Sequence, residues 1–271
     1  MTTIPSLNEE DQLIDLMASC YADPFKHVLV SYPWGVPGTP LADRDGPDKW
    51  QREFLVDLGG EVKKRGFDGV NAVDPIQFTT ASGHGIGKSC LSAWIIIWIR
   101  DTRPQSMGTI TANTAEQLRS KTFAELSKWH GMSITNHWFV LNAGSAGSLN
   151  MYHKGDRTWG CSGQTCQEHN SEAFAGQHRD TSTSYYLFDE AGGIPNSIFE
   201  VREGGLTDGE PMTFDFGNPT RNSGRFHANM VGKFRGRFIK RFIDSRSVAI
   251  TNKEYLNRMI EDHGLTSDLV K

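Results

Sequence analysis

The apolar run Ile76-Gln77-Phe78-Thr79-Thr80-Ala81 leads straight into the turn Ser82-Gly83-His84-Gly85-Ile86-Gly87-Lys88-Ser89, and Cys90 to Ile99 then follow as an almost wholly apolar stretch. Extended strand, glycine-rich turn and buried helix in that order confine the chain to an α/β fold with its ligand at the turn. Glycines let the backbone curl until successive N–H groups point at a phosphate, and the helix N-terminus adds positive potential there. Lys88 would bridge the β- and γ-phosphates of ATP, and the Ser89 hydroxyl would enter the shell of a Mg²⁺ ion. Ser82 stands where the usual G-x-x-x-x-G-K-[ST] pattern begins with glycine, and Gly83 and Gly85 supply the missing freedom. The plain alternative is an ordinary glycine-rich turn capping a core helix.

A second feature narrows the chemistry. Thr183-Ser184-Tyr185-Tyr186-Leu187-Phe188-Asp189-Glu190 is an apolar strand ending in two adjacent carboxylates. Acids at the C-terminal end of a strand lie where open parallel sheets place their ligands. Asp189 would hold Mg²⁺ through water, and Glu190 would orient and deprotonate the attacking water. That second carboxylate separates a hydrolase from a nucleotide switch. By itself the pair also fits a solvated strand end before the turn Ala191-Gly192-Gly193-Ile194-Pro195.

Composition removes several classes. The 271 residues are enough for one large α/β domain with appendages or two small ones, and a 37% hydrophobic share supports a real core. The apolar run Leu91 to Ile99 is too short to span a bilayer, and the polar, acidic N-terminus does not read as a signal peptide. Cys20, Cys90, Cys161 and Cys166 are sparse, as in a reducing compartment. Cys161, Cys166 and His169 have the composition of a zinc site without a fourth ligand. A net charge of −4 confines any nucleic-acid contact to a local patch.

Along the chain, helices are expected at Glu9 to Tyr21, from Pro47 to Leu58 with Trp50, Phe54 and Leu58 on one face, at Ala115 to Trp129, and at Lys253 to Asp262. Strands are expected at Met107 to Ala112, near Trp138 to Leu141, Leu149 to Tyr152 and Thr158 to Cys161, and at Met212 to Phe216. Lys233, Arg235, Arg237, Lys240 and Arg241 alternate with Phe234, Phe238 and Phe242. That stretch suits phosphate contact or an edge strand with one buried face, the edge strand being favoured slightly. No internal repeat is present.

These pieces together resemble the ATPase domain of the large subunit of tailed-phage terminases, from about Asp45 onward. Trp50-Gln51 resembles that family's adenine-contacting motif, and Thr111-Ala112-Asn113-Thr114-Ala115-Glu116-Gln117 the motif after the second strand of helicase-like motors. Phe174-Ala175-Gly176-Gln177-His178 resembles a segment just before the acidic strand, and Gly217-Asn218-Pro219-Thr220 the coupling motif. The resemblance implies a P-loop NTPase fold of the ASCE/RecA-like kind, a mostly parallel central sheet flanked by helices with an antiparallel extension. It implies ATP and Mg²⁺ as cofactors, and as partners double-stranded DNA, other copies of the chain in a ring, a portal protein and a small terminase subunit. The expected setting is the bacterial host cytoplasm, docked transiently on a procapsid, with no membrane contact.

One departure stands out. Family members often carry an arginine inside the phosphate loop, where this chain has His84 and Ile86; a neutral imidazole lacks both the permanent charge and the bidentate fork. Full-length large subunits continue into a nuclease with clustered acids, and no such cluster follows Asp244. The expected layout is thus an N-terminal extension over 1–45, the ATPase domain over 46–245, and a helical linker over 246–271 toward a nuclease absent from this chain.

The roles that follow each have a duller alternative. Gln51 would read the adenine edge with its amide, or simply face solvent. Arg179 would reach a neighbouring subunit's nucleotide as an arginine finger, or be a surface residue beside Asp180, in which case Arg202 or Arg225 is the next candidate. Asn218 and Thr220 would sense the γ-phosphate, or belong to a proline turn. The favoured function is ATP hydrolysis coupled to DNA translocation. A helicase-like ATPase and a non-hydrolysing ATP-gated assembly module are the alternatives.

Overall fold

Adjacent residues of the central strands point to opposite faces of the sheet, and here both sets are buried. In β6 (Ser184–Phe188), Tyr185 and Leu187 join one core while Tyr186 and Phe188 join a second. A strand covered on both sides reads as a continuous apolar run, as expected in a parallel sheet whose crossover helices cover both faces. The computed structural model describes residues 7–144, 148–166, 174 and 179–265.

The first core lies under α2 (Pro24–Ser31), α3 (Lys49–Arg65) and α4 (Lys88–Thr102), and α1 (Leu7–Ala18) packs on α4. Between α3 and α4 runs β1 (Ile76–Ser82), and after α4 comes β2 (Met107–Ala112). Phe54 of α3 packs on Phe78 at a ring separation of 4.5 Å, so this helix clasps the strand that feeds the phosphate loop. A helical stretch then combines α5 (Ala115–Gln117), a π-helical turn (Leu118–Phe123) and α6 (Ala124–Met132). β3 (Phe139–Asn142), β4 (Asn150–His153) and β5 (Asp156–Thr165) form a meander. Beyond β6 come α7 (Asn196–Gly204), β7 (Met212–Gly217), α8 (Gly224–Met230), β8 (Ile239–Ile243) and α9 (Lys253–His263). Ile198, Phe199, Phe226 and Met230 from α7 and α8 close the second core.

The eight strands run in the order β3-β4-β5-β2-β6-β7-β1-β8. From β5 to β8 every pairing is parallel, while β3, β4 and β5 pair antiparallel. The expected mostly parallel sheet with an antiparallel extension is therefore what forms. β7 separates β1 from β6, and its C-terminal end lies between the glycine-rich turn and the two carboxylates.

Several expectations change in detail. The helix expected at Glu9 to Tyr21 ends at Ala18, and α2 follows it, opened by Pro24 behind the Asp23 cap, whose side chain accepts from the Lys26 N–H. Residues 7–45 also do not stand apart from the rest. Trp34, Trp94 and Trp129 interlock with Tyr32, and Trp98 donates to the Cys20 carbonyl at 2.9 Å, so this segment shares the first core. β8 is an edge strand, but Phe242 faces solvent while Arg241 is half-buried on Asp57. Ile239, Arg241 and Ile243 turn inward, and Lys240 faces out with Phe242. Among the described residues no helix is long and apolar enough to cross a membrane.

A buried polar cluster ties α2, α4 and α6 together. Arg100 and His27 hold Asp101 at 2.9 and 3.0 Å, and Arg100 donates to His130 Nδ1 at 2.7 Å. Burial, reinforced by the Arg100 charge, drives the His130 pKa down to about 3. The folded state thus keeps His130 neutral where the unfolded chain takes up a proton. Its contribution to stability is complete above about pH 6.5 and is lost as pH falls toward 3, with a slope of at most about 1.4 kcal/mol per pH unit. Thermal unfolding between about pH 7 and pH 4.5 should show Tm falling with acidification, and less steeply in His130→Gln.

Candidate nucleotide-binding site

Lys88 opens α4, and its Nζ is held in the mouth of the turn by three acceptors. These are the Gly83 carbonyl at 2.8 Å, Ser82 Oγ at 3.1 Å and Asn218 Oδ1 at 2.7 Å. The first two come from the end of β1 and the third from the end of β7. Burial lowers the Lys88 pKa, and the carboxylates of Glu190 and Asp189 act against that drop. A buried cation between strand ends, with its three donors arranged on neutral oxygens, is a site prepared for an anion.

The turn itself is shaped from below by α3. Trp50 Nε1 donates to the Ile86 carbonyl at 3.1 Å and Gln51 Nε2 to the Gly87 carbonyl at 3.0 Å, while Gln51 Oε1 accepts from the Asp48 N–H at 3.0 Å. Gln51 is buried, with both ends of its amide committed within the chain. It caps α3 and fixes the turn. Gly87 sits at φ 88°, and a Cβ there would come within 2.8 Å of Gln51 Nε2, so the position requires glycine on two counts. His84 and Gly85 are exposed at the lip, and His84 faces Asn218, whose Nδ2 lies 2.7 Å from its Nε2.

Asp189 and Glu190 emerge from the end of β6. Thr122 Oγ1, from the π-helical turn, donates to Asp189 Oδ2 at 2.7 Å, and the Glu190 N–H donates to Oδ1 at 3.1 Å. Burial raises the Asp189 pKa and Glu190 adds to the rise, with Thr122 and Lys88 opposing. A carboxylate buried with too little positive charge beside it fits a hard divalent cation, and the Ser89 hydroxyl at the start of α4 is a suitable oxygen partner. Glu190 occupies the left-handed region at φ 53°, a conformation that costs about 1–2 kcal/mol for a residue bearing a Cβ. That strained backbone turns its side chain into the cleft.

The cleft has a volume of about 260 Å³, and its lining includes His84, Glu190, Asn218, Thr220 and Arg221 as well as Asn113, Gln117 and Lys121. The structure therefore brings Lys88, Asp189, Glu190 and Asn218 to one place. Lys121 and Arg221 were not picked out from the sequence: neither lies in a glycine-rich or acidic motif. Asn113 and Gln117 fall within the segment that resembles a motor motif, and that signal could have pointed to them.

The arginines sort differently. Arg179 lies before β6, at the end of the sheet away from Glu190, and donates to the Thr158 carbonyl at 2.6 Å. It is remote from Lys88 of its own chain. Arg202 and Arg225 cannot serve as fingers in this fold: Arg202 is fully buried on Asp215 at 2.5 Å, and Arg225 is held by Glu203 at 2.6 Å and Asn229 at 2.9 Å. The Cys161 and Cys166 thiols are both pushed up by burial, Cys161 to about 11, and Cys166 Sγ lies on the Ala112 carbonyl. Among the described residues no three His, Cys, Asp or Glu side chains could hold a metal together; His169 and most of Phe174 to His178 lie outside them.

No family model matches the chain. It is 25% identical over 260 residues to a probable terminase large subunit of Enterobacteria phage P7, covering 91% of this chain and 49% of that protein. The chain thus spans about half the length of the curated relative it matches. Among solved structures it is similar to the HK97 bacteriophage large terminase, with TM-score 0.61, 10% identity, and 90% and 51% of the two chains covered. It is also similar to the large terminase of a thermophilic bacteriophage in complex with ADP, with TM-score 0.53, 14% identity, and 88% and 48% covered. The fold is the one these phage large terminases share over the matched region.

Proposed function

We propose that this chain is the ATP-hydrolysing motor domain of a phage DNA-packaging terminase. The observation that carries the reading is the meeting of Lys88, Asn218 and the Asp189–Glu190 pair at the C-terminal ends of β1, β7 and β6. The P7 relative is a probable terminase large subunit, and the thermophilic-phage terminase structure was obtained with ADP, which supports a nucleotide in this cleft.

The residues then divide the work. Lys88 neutralises the β- and γ-phosphates while the turn's N–H groups and the α4 N-terminus grip the chain of phosphates. Glu190 accepts a proton from water aligned with the γ-phosphorus, and the water oxygen displaces the ADP oxygen. Mg²⁺, held by Ser89 and Asp189, supplies charge neutralisation on the phosphate oxygens when bound. Asn218 touches Lys88 on one side and His84 on the other, so loss of the γ-phosphate changes what the end of β7 can bond. Arg179 lies at the far end of the sheet from its own site and, on leaving the Thr158 carbonyl, would reach a neighbouring copy's nucleotide in a ring. Duplex DNA, a portal protein and a small terminase subunit are the expected partners in the host cytoplasm.

Phosphate release per subunit, measured against protein concentration with and without duplex DNA, tests this. The rate should climb steeply with concentration as shared sites form, and rise further with DNA. A rate that is constant with concentration and indifferent to DNA would point instead to a self-contained nucleotide module.

A further inference from the structure

The phosphate loop of this chain lacks an internal arginine, yet the cleft beyond it is not short of positive charge. Asn113, Gln117 and Lys121 stand at four-residue intervals and line the cleft together with Asn218 and Glu190. The helical stretch that bears Gln117 and Lys121 is not regular: Leu118–Phe123 forms a π-helical turn between α5 and α6. Such a turn inserts a residue into a helix and swings the side chains around it, commonly where a helix serves a site. Here it lets Leu118 and Phe123 stay in the core while Thr122 reaches Asp189 and Lys121 enters the cleft.

Two further observations show that this lining awaits a ligand. Asn113 Oδ1 and Gln117 Oε1 are buried without a hydrogen-bond partner, a state that folded proteins rarely leave unexplained. Lys121 makes no ion pair among the described residues, and its charge adds to the burial that depresses the Lys88 pKa. Lys121 lines the cleft with Glu190, and Lys88 borders it through its hydrogen bond to Asn218.

We propose that Lys121 is a second phosphate-binding cation, supplied in cis from the π-helical turn, which contacts the γ-phosphate and takes the place of the arginine missing from the loop. The proposal deepens the ATPase reading and rests on it. In this arrangement Lys88 meets the β- and γ-phosphates at the loop, while Lys121, which lines the cleft together with Glu190, meets the γ-phosphate alone, so ADP would engage the first lysine but not the second. Lys121 therefore sets the preference for triphosphate over diphosphate. Arg221, exposed and also lining the cleft, is the competing candidate.

The test is binding of ATPγS and ADP to dilute protein, where no neighbour completes the site. Wild type should prefer ATPγS. Lys121→Ala should lose about 10- to 100-fold in ATPγS affinity with ADP affinity unchanged, as removal of one charge-assisted contact requires, and Lys121→Arg should recover most of it. Retained ADP binding doubles as the check that the variant folds. An unchanged preference in Lys121→Ala, or its collapse in Arg221→Ala alone, would overturn the proposal. A wild type that binds neither nucleotide would overturn the ATPase reading along with it.

Discussion

Glu190→Gln should lower phosphate release by about 10²- to 10⁴-fold while leaving ATP binding largely intact, the range expected when a positioned general base is removed. Glutamine keeps the size and the hydrogen-bonding reach of the side chain but cannot accept the proton. The left-handed backbone at residue 190 does not depend on the carboxylate, so the cleft keeps its shape. Steady-state phosphate release alongside nucleotide titration separates the two effects. A variant that still turns over at more than about a tenth of the wild-type rate would remove Glu190 from the chemistry.

Lys88→Ala acts on the earlier step. It deletes the ammonium that bridges Ser82, Gly83 and Asn218 across β1 and β7, and with it the charge facing the phosphates. ATP affinity should fall by about 100-fold, the upper end for a charged hydrogen bond, and hydrolysis should become undetectable at ordinary ATP concentrations. Asn218 Oδ1 then loses its donor in a buried position, so its contact with His84 should loosen as well. Fluorescence titration with a labelled ATP analogue measures the loss directly. Thermal unfolding in parallel shows whether the fold survives.

How much of this was legible without coordinates depended on how local the signal was. The turn at Ser82–Ser89, the acidic strand end at Asp189–Glu190 and the strand Met107–Ala112 are short patterns with their own physical logic, and the structure forms the strands and helix they require. α2 carried a readable start in Asp23-Pro24, but its buried His27 faces Asp101, a partner distant in sequence, and the pattern looked irregular without it. The only trace of the π-helical turn is the five-residue step from Leu118 to Phe123 in an otherwise helical apolar spacing through Leu126 and Trp129, and one such step is too short a signal to read. Without that turn, Thr122 and Lys121 could not be assigned to the cleft. Gln51 was recognised as part of a motif, yet its burial and double hydrogen bonding depend on where α3 docks, which only the tertiary structure determines. Arg202 and Arg225 were candidates as cations, and nothing in the sequence signalled their buried partners Asp215 and Glu203.

Side-by-side ATP titrations of Lys88→Ala and Glu190→Gln test most directly whether this cleft binds the triphosphate and activates water as two separable tasks. Binding should be lost in the lysine variant and kept in the glutamate variant, with hydrolysis absent from both. Equal loss of binding in the two variants, or equal retention, would contradict the assignment of Lys88 to the phosphates and Glu190 to the water.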